Sequence, residues 1–277
     1  MKSVLITGTS SGIGEACVHA LADEGWRVFA GVHHEADAPR TDAAGVTTLA
    51  LDVTSEASIA AAAARIEQET GGRLDALVNN AGIPGAGPVE TVPVETFRAV
   101  IETNLIGQFA VTQAFLPQLR ASGGRIVFVS SLGGRVAFPY ASPYHASKFG
   151  LEALAESLRA EMVKFDVSVS LVEPASMATE IWAKGQASLD EARERMTTEQ
   201  RAIYGEALAG FHEQLVSQED SEDPAKVAVK VVEALSARSP SERYPVGRGA
   251  RTVTALQGLI PDPIFDRIKQ RLLSGGG

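Results

Sequence analysis

Short runs of β-branched and other apolar residues alternate with longer stretches of helical periodicity through the first two thirds of the chain. Such runs are typical of strands buried on both faces, and the intervening stretches are long enough to form crossover helices. This alternation predicts an α/β fold, a doubly wound parallel sheet of about seven strands with helices on both faces. The predicted strands are Val4–Thr7, Arg27–Val32, Val46–Leu51, Ala76–Val78, Ile126–Val129, Val167–Val172 and Arg243–Val246, and the predicted helices are Gly12–Glu24, Ser55–Glu69, Val94–Arg120, Pro143–Lys164 and Ala225–Ser236.

The composition limits the classes of protein to which the chain can belong. Its 277 residues are 45% hydrophobic, enough for one substantial core, and a single domain over residues 1–277 is predicted. The net charge of −9 argues against binding to nucleic acid or to an anionic membrane. The single cysteine allows neither an intrachain disulfide nor a cysteine-based zinc site, and no metal is predicted. Because neither a signal peptide nor a membrane-spanning apolar run is evident, we expect a cytoplasmic protein.

The stretch from Ser176 to Asp223 interrupts the alternation. It is polar and charged, and its apolar residues are spaced as in amphipathic helices. Long excursions after the carboxyl end of a strand lie where ligands bind in open α/β sheets, so residues 176–223 are predicted to form a helical substrate lid. A peripheral helical pair packed on the core is the alternative. Residues 252–273 form a C-terminal extension that either caps the pocket or modifies an assembly.

A glycine-rich turn joins the first predicted strand to the first predicted helix. Residues 7–14 read TGTSSGIG, a TGxxxGxG spacing. Glycines at such a turn let backbone N–H groups approach a pyrophosphate, whose charge suits the N-terminus of a helix. The position between strand and helix therefore favours a dinucleotide site over a structural turn without a ligand.

Tyr144 and Lys148 lie one turn apart at the start of a predicted helix, which places them on one face. A phenol with a pKa of about 10 is a poor base at neutral pH, but a nearby ammonium and a cationic nicotinamide favour the phenolate. Ser131 lies just after the predicted strand Ile126–Val129, at the sheet edge where ligands bind. These three side chains together predict a proton-transfer site beside a bound dinucleotide.

With these residues the chain resembles the short-chain dehydrogenase/reductase family, in its compact single-domain branch. The resemblance implies a Rossmann-type fold and an NAD(P)-dependent oxidoreductase. Residues 28–33 and 243–247 are similar to the hydroxysteroid and retinol dehydrogenase-like subgroup. The motifs that carry the resemblance occur in family order, and they are TGxxxGIG at Thr7–Gly14, Asp52-Val53, Asn79-Asn80-Ala81-Gly82, Asn104, Ser131, Tyr144 and Lys148.

The resemblance also implies a role for each matching position. Tyr144 would be the general acid/base, Lys148 would hold the nicotinamide ribose and stabilise the phenolate, and Ser131 would hydrogen-bond the substrate oxygen. Asn104 would hold a water that links Lys148 to solvent, with a helix bend or a surface amide as the alternative. Asn80 would contact the cofactor or tie strands together. The implied cofactor contacts are Gly8, Ser10, Ser11, Gly12, Ile13, Gly14, His33, Asp52, Val53, Asn79, Asn80, Ala81, Gly82, Tyr144, Lys148, Pro174 and Thr179.

The end of the second predicted strand bears on the choice between NAD and NADP. A carboxylate there accepts a hydrogen bond from the ribose 2′-hydroxyl and repels a 2′-phosphate. By the family's spacing, Val32 occupies the usual acidic position, while Ser11 and His33 occupy positions where relatives that prefer NADP often carry Arg. Without the carboxylate the chain is predicted to favour NADP(H), with NAD(H) as the alternative cofactor. Two solvated loop histidines, His33 and His34, are the alternative to a phosphate clamp.

A substrate pocket is predicted between residues 132–140 and the loop that begins at Ala175. Apolar candidate walls suit a lipophilic alcohol or ketone, and core or lid packing is the alternative. In the loop, Pro174 and Thr179 match the family, whereas Ala175 replaces the usual glycine and restricts the backbone if a positive φ is required. The candidate wall residues are Val136, Phe138, Tyr140, Met177, Ile181 and Trp182.

Together these features predict an NADP(H)-preferring oxidoreductase that interconverts a lipophilic secondary alcohol and a ketone or aldehyde. One alternative is a non-catalytic NAD(P)-binding regulator, which the intact Ser131, Tyr144 and Lys148 argue against. Another is an epimerase or dehydratase of the extended branch, whose glycine turn is typically TGxxGxxG. The expected partners are a small-molecule alcohol or carbonyl substrate and further copies of the chain, in a homodimer or homotetramer built through the two long predicted helices.

Overall fold

The computed structural model describes residues 1–37, 44–217, 221–257, 260–261, 263–264 and 266–267. The strands in these ranges are β1 (Ser3–Thr7), β2 (Arg27–Val32), β3 (Val46–Ala50), β4 (Ala76–Asn79), β5 (Arg125–Val129), β6 (Ser168–Pro174) and β7 (Arg243–Val246). They form one seven-stranded parallel sheet in the order β3-β2-β1-β4-β5-β6-β7. The strand order reverses between β1 and β4, and ligands bind at such a switch point in doubly wound sheets. The predicted fold class is confirmed.

Helices cover both faces of this sheet. The helices of the described residues are α1 (Gly12–Asp23), α2 (Glu56–Thr70), α3 (Val94–Ile101), α4 (Gln108–Ser122), α5 (Ser142–Met162), α6 (Ile181–Glu194), α7 (Thr198–Ser217), α8 (Ala225–Ser236) and α9 (Ala250–Gln257). Successive strand residues enter opposite cores: Leu5 packs with α2, α4 and α5, whereas Val4 and Ile6 pack with α1 and α8. Since both faces are buried, the strands read as continuous apolar runs in the sequence.

The predicted helix Val94–Arg120 is not one regular helix, so that prediction was wrong in its detail. A π-helical segment, Glu102–Gly107, separates α3 from α4 and contains Asn104. Gly107, at the end of the π-helical segment, lies close to the loop after β3: a Cβ on this residue would be 2.7 Å from the Val53 carbonyl oxygen. Helical periodicity of apolar residues does not distinguish an α-turn from a π-turn, and π-segments are frequent at functional sites.

Between β6 and α8 the chain leaves the sheet, forms α6 and α7, and returns beside the point where it left. Its two ends form a paired stem, defined by residues 176–178 and 221–222. Met177 and Glu222 form a β-bridge, Ala178 N–H donates to the Glu222 carbonyl (2.8 Å), and the Ser176 and Ser221 hydroxyl oxygens are 2.9 Å apart. The helices share a small apolar cluster with two neighbouring loops, and its members are Ala86, Leu189, Met196, Leu208, Tyr140, Tyr204 and Phe211.

No helix in the described part of the chain is long and apolar enough to cross a lipid bilayer. The cytoplasmic location stays a prediction. Of the predicted C-terminal extension, α9 is described, and most of residues 258–277 lie outside the described residues.

Candidate active site

The glycine turn connects β1 to α1 at the switch point of the sheet. Gly8 and Gly12 have φ of +67° and +60°, a left-handed conformation that glycine adopts without strain. Gly14 lies inside the first turn of α1, where a Cβ would be 2.1 Å from the Gly8 carbonyl oxygen. Ser11 occupies the N-cap position of α1, and its hydroxyl reaches across the crevice to the Glu180 carboxylate (3.3 Å). The turn therefore presents a closely packed backbone at the helix N-terminus.

The close contact at Gly14 makes a direct prediction. Gly14→Ala is expected to lower the free energy of unfolding by about 1–3 kcal/mol, because backbone must move to admit the methyl group. The displaced turn should also raise the Kd for NADPH by at least about tenfold, an effect of ~1.4 kcal/mol. Thermal unfolding and fluorescence titration measure the two quantities. Gly205→Ala on α7 is the matched control, since its Cβ would meet nothing within 4 Å; equal effects in both variants would contradict the prediction.

Asn80 locks the ends of β1 and β4 together beside this turn. Its side-chain amide donates to the carbonyl oxygens of Thr7 (3.0 Å) and Gly8 (2.8 Å). In return, the Thr7 hydroxyl accepts hydrogen bonds from the backbone N–H groups of Asn80 and Ala81, each 3.0 Å long. These bonds give Asn80 the strand-tying role that the sequence left as one of two alternatives.

A crevice of about 430 Å³ opens above the turn and contains most of the predicted cofactor residues. Three predicted contacts lie elsewhere: Gly14 is inside α1, Pro174 lines the adjoining cavity, and Asn79 is fully buried and donates to the Thr112 hydroxyl (2.8 Å). The predicted residues that line the crevice are Gly8, Ser10, Ser11, Gly12, Ile13, His33, Asp52, Val53, Asn80, Ala81, Gly82, Tyr144, Lys148 and Thr179. The sequence arguments missed Leu51, Thr54, Ile83, Thr103, Val129, Ser130, Glu180, Ile181 and Lys184 as cofactor-site residues. For most of them the signal in the sequence is adjacency to a residue that was found, and Lys184 has no such neighbour.

The corner of the crevice near β2 contains a histidine and a carboxylate. Val32, which the family spacing puts at the position that recognises the ribose, is fully buried, whereas His33 is exposed in the crevice. His33 Nε2 lies 3.5 Å from the Asp52 carboxylate. Burial raises the pKa of Asp52, but hydrogen bonds from Thr54 and the proximity of His33 outweigh this and lower the pKa overall. Asp52 is therefore ionised at neutral pH, with the His33 ring beside it.

Lys148 and Tyr144 form the inner wall of the crevice. Lys148 is 4% exposed, and its ammonium donates to the Val129 carbonyl oxygen (2.9 Å) at the end of β5. The ammonium lies 5.8 Å from the centre of the Tyr144 ring. Burial lowers the pKa of Lys148 to about 8, although the nearby Glu152 carboxylate opposes the shift. The predicted convergence of these two side chains on one face of α5 is therefore present in the structure.

The Tyr144 phenol differs from its sequence-based expectation in one respect. The sequence argument had Lys148 and a cationic cofactor favour the phenolate, but in the protein itself burial raises the pKa of Tyr144, and a hydrogen bond with Ser131 only partly opposes the rise. The phenol is thus protonated at neutral pH. Ser131 Oγ also accepts a hydrogen bond from the Gly133 N–H (3.0 Å), which leaves the serine's own hydrogen for the Tyr144 phenol or for the adjoining cavity that Ser131 lines.

Asn104 is fully buried in the π-helical segment and joins three parts of the site. Its carbonyl oxygen accepts from Ile83 N–H (2.7 Å), and its amide donates to the Ile83 carbonyl (2.9 Å) and the Ser147 hydroxyl (3.0 Å). Both amide hydrogens are used in these bonds. The side chain therefore holds the loop after β4 against α5, and a water on Asn104 would have to donate to its side-chain or backbone carbonyl oxygen.

A second cavity, of about 470 Å³, adjoins the crevice and shares Tyr144 and Ser130 with it. None of the described residues that line it is Asp, Glu, Lys or Arg. Of the predicted wall residues, Phe138, Met177 and Ile181 line this cavity. Two others do not line it: Val136 is buried, and Tyr140 packs against Phe211 with ring centres 5.8 Å apart. The Trp182 side chain lies outside the described residues. Wall residues that the sequence did not reveal include Pro84, Gly85, Ala86, His145 and Phe211.

Comparison with known families agrees with this arrangement. The family model described as short chain dehydrogenase matches residues 2–190, more than half of the chain. The chain belongs to the short-chain dehydrogenase family. It is an NAD(P)-dependent oxidoreductase of the hydroxysteroid dehydrogenase-like kind, as the relatives described next also indicate.

Several relatives resemble this dehydrogenase along nearly its whole length. Short-chain dehydrogenase/reductase family 9C member 7 from Bos taurus is 36% identical over 282 residues, covering 98% of this chain and 90% of the relative. The bovine 17-beta-hydroxysteroid dehydrogenase type 6 is 35% identical, with coverages of 98% and 88%. NADPH-dependent 3-dehydrocapnine reductase from Ornithobacterium rhinotracheale is 33% identical, with coverages of 97% and 96%.

A solved structure confirms the fold of this dehydrogenase independently. The crystal structure of a short-chain dehydrogenase from Streptomyces avermitilis superposes with a TM-score of 0.79 at 29% identity. The superposition covers 98% of this chain and 95% of the other. The predicted family and its Rossmann-type sheet are therefore confirmed.

Proposed function

We propose that this dehydrogenase interconverts a lipophilic secondary alcohol and the corresponding ketone, or an aldehyde in its place, with NADP(H) as the preferred cofactor. The observation that carries the proposal is the position of Tyr144, which lines both the crevice above the glycine turn and the apolar cavity beside it. Lys148 lines the crevice and Ser131 lines the cavity, on either side of the phenol. A proton donor at the boundary of two spaces suits a reaction between a cofactor in one and a substrate in the other.

Two features of the crevice fit a nicotinamide dinucleotide. The glycine turn brings backbone so close that a Cβ at Gly14 would overlap the Gly8 carbonyl, and such turns cradle a pyrophosphate. At the other end, the buried Ser130 hydroxyl lacks a hydrogen-bond partner among the described residues and lies at the boundary with the cavity. When bound, the cofactor supplies or accepts the hydride. In this proposal Lys148 holds the nicotinamide ribose of the cofactor, and Asp52 and Val53 contact its adenine end.

Each of the chain's own residues then has a separate role in the proton transfer. Ser131 donates its hydrogen to the substrate oxygen and stabilises the charge that develops there. Tyr144 gives its proton to this oxygen during reduction and takes it back during oxidation. The raised pKa of Tyr144 keeps the phenol protonated at neutral pH, which favours carbonyl reduction. The Lys148 ammonium stabilises the phenolate that forms, and a water on an Asn104 carbonyl oxygen would return a proton from solvent.

The cavity supports a neutral, lipophilic substrate. Its volume lies within the range of small-molecule sites, and no described lining residue carries a charge that could pair with a substrate carboxylate or amine. The test is a panel of carbonyl compounds followed by NADPH absorbance, in which apolar ketones are paired with carboxylate analogues of equal size. We expect kcat/KM to be highest for the apolar ketones. A preference for the carboxylates, or no turnover with any member, would reject the proposed substrate class.

Residues 176–223 act, in this proposal, as a lid on the cavity. Ile181 and Gly185 from α6 and Phe211 from α7 line the space, while the paired stem anchors both ends of the segment beside β6.

We further propose a homodimer or homotetramer through α4 and α5. The exposed Phe109 and Phe149 on these helices are 47% and 42% accessible, which is typical of surfaces that another subunit covers.

The cofactor preference gives a further prediction. The NADPH-dependent relative supports a higher kcat/KM with NADPH than with NADH, and His33 is the side chain placed to meet a 2′-phosphate. His33→Arg should raise the NADPH-to-NADH ratio of kcat/KM by about tenfold, since a fixed cation pairs with the phosphate at ~1.4 kcal/mol. His19→Arg on α1, which lines neither the crevice nor the cavity, is the matched control. A wild-type ratio of one or less, or the same response in both variants, would contradict the preference.

A further inference from the structure

We propose that His145 is a positioning residue, which aligns Ser131 for the reaction through one ring nitrogen and sets the substrate-facing wall at Phe138 through the other. The proposal rests on the function proposed above. His145 directly follows Tyr144 on α5. Its side chain points into the loop of residues 131–138, called here the serine loop. His145 is 7% exposed and lines the cavity.

The two nitrogens of His145 have different partners. Nδ1 lies 2.8 Å from the Gly133 carbonyl oxygen, and Nε2 lies 3.1 Å from the Phe138 backbone nitrogen. A carbonyl can only accept a hydrogen bond and a backbone N–H can only donate one. The imidazole is therefore neutral, with its hydrogen on Nδ1. One side chain on the rigid helix α5 thus ties down both ends of the serine loop.

The bond from Nδ1 leads directly to Ser131. The peptide N–H of Gly133, the residue whose carbonyl His145 holds, donates to Ser131 Oγ over 3.0 Å. This bond fixes one side of the hydroxyl, so that its single hydrogen points away from the Gly133 backbone, towards the Tyr144 phenol and the cavity. If Gly133 shifts, the direction in which Ser131 donates shifts with it.

The packing around Gly133 leaves little freedom for such a shift. A Cβ there would lie 2.9 Å from His145 Nδ1 and 3.3 Å from Ser131 Oγ. The imidazole and the serine hydroxyl therefore enclose this residue from two sides. Alternative positions of the loop would require breaking buried hydrogen bonds, which are costly when they are left unmade.

The bond from Nε2 acts on the substrate wall instead. Phe138 N–H has the imidazole as its acceptor, and the Phe138 ring lies 6.1 Å from the His145 ring, on the edge of the cavity. Loss of this bond frees the far end of the serine loop but leaves the link from Gly133 to Ser131 intact. The two nitrogens should therefore affect different kinetic constants, Nδ1 the kcat and Nε2 the KM for bulky substrates.

Asparagine and glutamine separate these two roles, because the Asn amide can occupy the place of Nδ1 and the Gln amide that of Nε2. His145→Asn keeps a donor for the Gly133 carbonyl, and His145→Gln keeps an acceptor for Phe138 N–H. Each variant is compared for kcat, for KM with a small and a bulky ketone, and for the Kd of NADPH. His19→Asn on α1, away from both cavities, is the matched control.

We expect His145→Gln to lower kcat about tenfold, a change of ~1.4 kcal/mol in the barrier, with KM and NADPH Kd near wild type. His145→Asn should keep kcat within about threefold while the KM for the bulky ketone changes relative to the small one. Equal losses of kcat in both variants, or wild-type constants in both, would overturn the proposal. If neither variant folds, Gly133→Ala must lower kcat without changing the Kd of NADPH, and a wild-type kcat there overturns it as well.

Hydrogen exchange separates this inference from the proposed function, because it needs no substrate. In the NADPH complex, the Phe138 amide should exchange at least about tenfold faster in His145→Asn than in the wild type or in His145→Gln. Unchanged protection would overturn the positioning role even if the enzyme turned over. Conversely, an enzyme inactive on every carbonyl that still showed this pattern would reject the proposed reaction and keep the loop contact.

Discussion

Tyr144→Phe is expected to lower kcat for carbonyl reduction by roughly 10²–10⁴-fold, the usual contribution of a positioned general acid. The change removes only the phenolic oxygen, and the ring keeps its place between the crevice and the cavity. The Kd for NADPH should stay within about threefold, less than ~0.7 kcal/mol, since Lys148 and the glycine turn are untouched. Stopped-flow or steady-state assays of NADPH oxidation measure kcat, and fluorescence titration measures the Kd for NADPH.

Tyr204→Phe is the matched control for this experiment. Tyr204 lies on α7 and donates to the Glu90 carboxylate (2.7 Å), away from both lined spaces. Its variant should retain the wild-type kcat. Near-wild-type turnover in Tyr144→Phe would remove Tyr144 from the proposed proton transfer, whereas a loss of NADPH binding in that variant would indicate a structural role.

Lys148→Met is expected to abolish most activity and at the same time to stabilise the protein. Burial lowers the pKa of Lys148 from 10.5 to about 8, so the folded state disfavours the ammonium by about 3 kcal/mol at neutral pH. Methionine removes this cost but leaves the Val129 carbonyl without its donor, a loss of about 1 kcal/mol. A net gain of about 1–2 kcal/mol in the free energy of unfolding should accompany a fall of at least about a hundredfold in kcat/KM.

The pH dependence of that gain follows from the direction of the shift. The proton destabilises the fold, so its cost is fully present below pH 8, the approximate pKa of folded Lys148, and disappears as the pH rises towards 10.5, the ordinary value. The stability difference between Lys148→Met and wild type should therefore shrink between these two values. Lys164→Met, an exposed lysine just after α5, should change stability by less than about 0.5 kcal/mol at either pH. A destabilised Lys148→Met at pH 7 would show that the ammonium supports the fold.

Sequence reasoning reached the sheet and the crevice because both follow from local rules. Buried parallel strands read as apolar runs, and the carboxyl ends of such strands share one edge, which brings the glycine turn, Asp52 and Ser131 together. The pair of Tyr144 and Lys148 required only the spacing of one helical turn. These inferences need no knowledge of how distant side chains pack.

The remaining features depend on tertiary contacts that spacing does not encode. Val32 and His33 are neighbours, but β2 ends between them, so that Val32 is buried in the sheet and His33 lies exposed in the crevice. The pKa of Tyr144 rises because of burial, which the motif does not reveal. His145 received no role from the sequence because its partners belong to a loop that folds back onto α5. The π-helical segment around Asn104 has the same apolar pattern as an ordinary helix.

The paired stem has a consequence for how the substrate range of this enzyme can be altered. Its two segments, residues 176–178 and 221–222, are hydrogen-bonded to each other beside β6, so the two ends of the chain between them already meet. Changing the length of such an excursion costs little loop-closure entropy, on the order of 0.6 kcal/mol for a doubling. In the proposed lid role, segments grafted between Lys184 and Ser221 would exchange one specificity for another. The sheet, its proton-transfer residues and the crevice residues Thr179 to Lys184 would stay as they are.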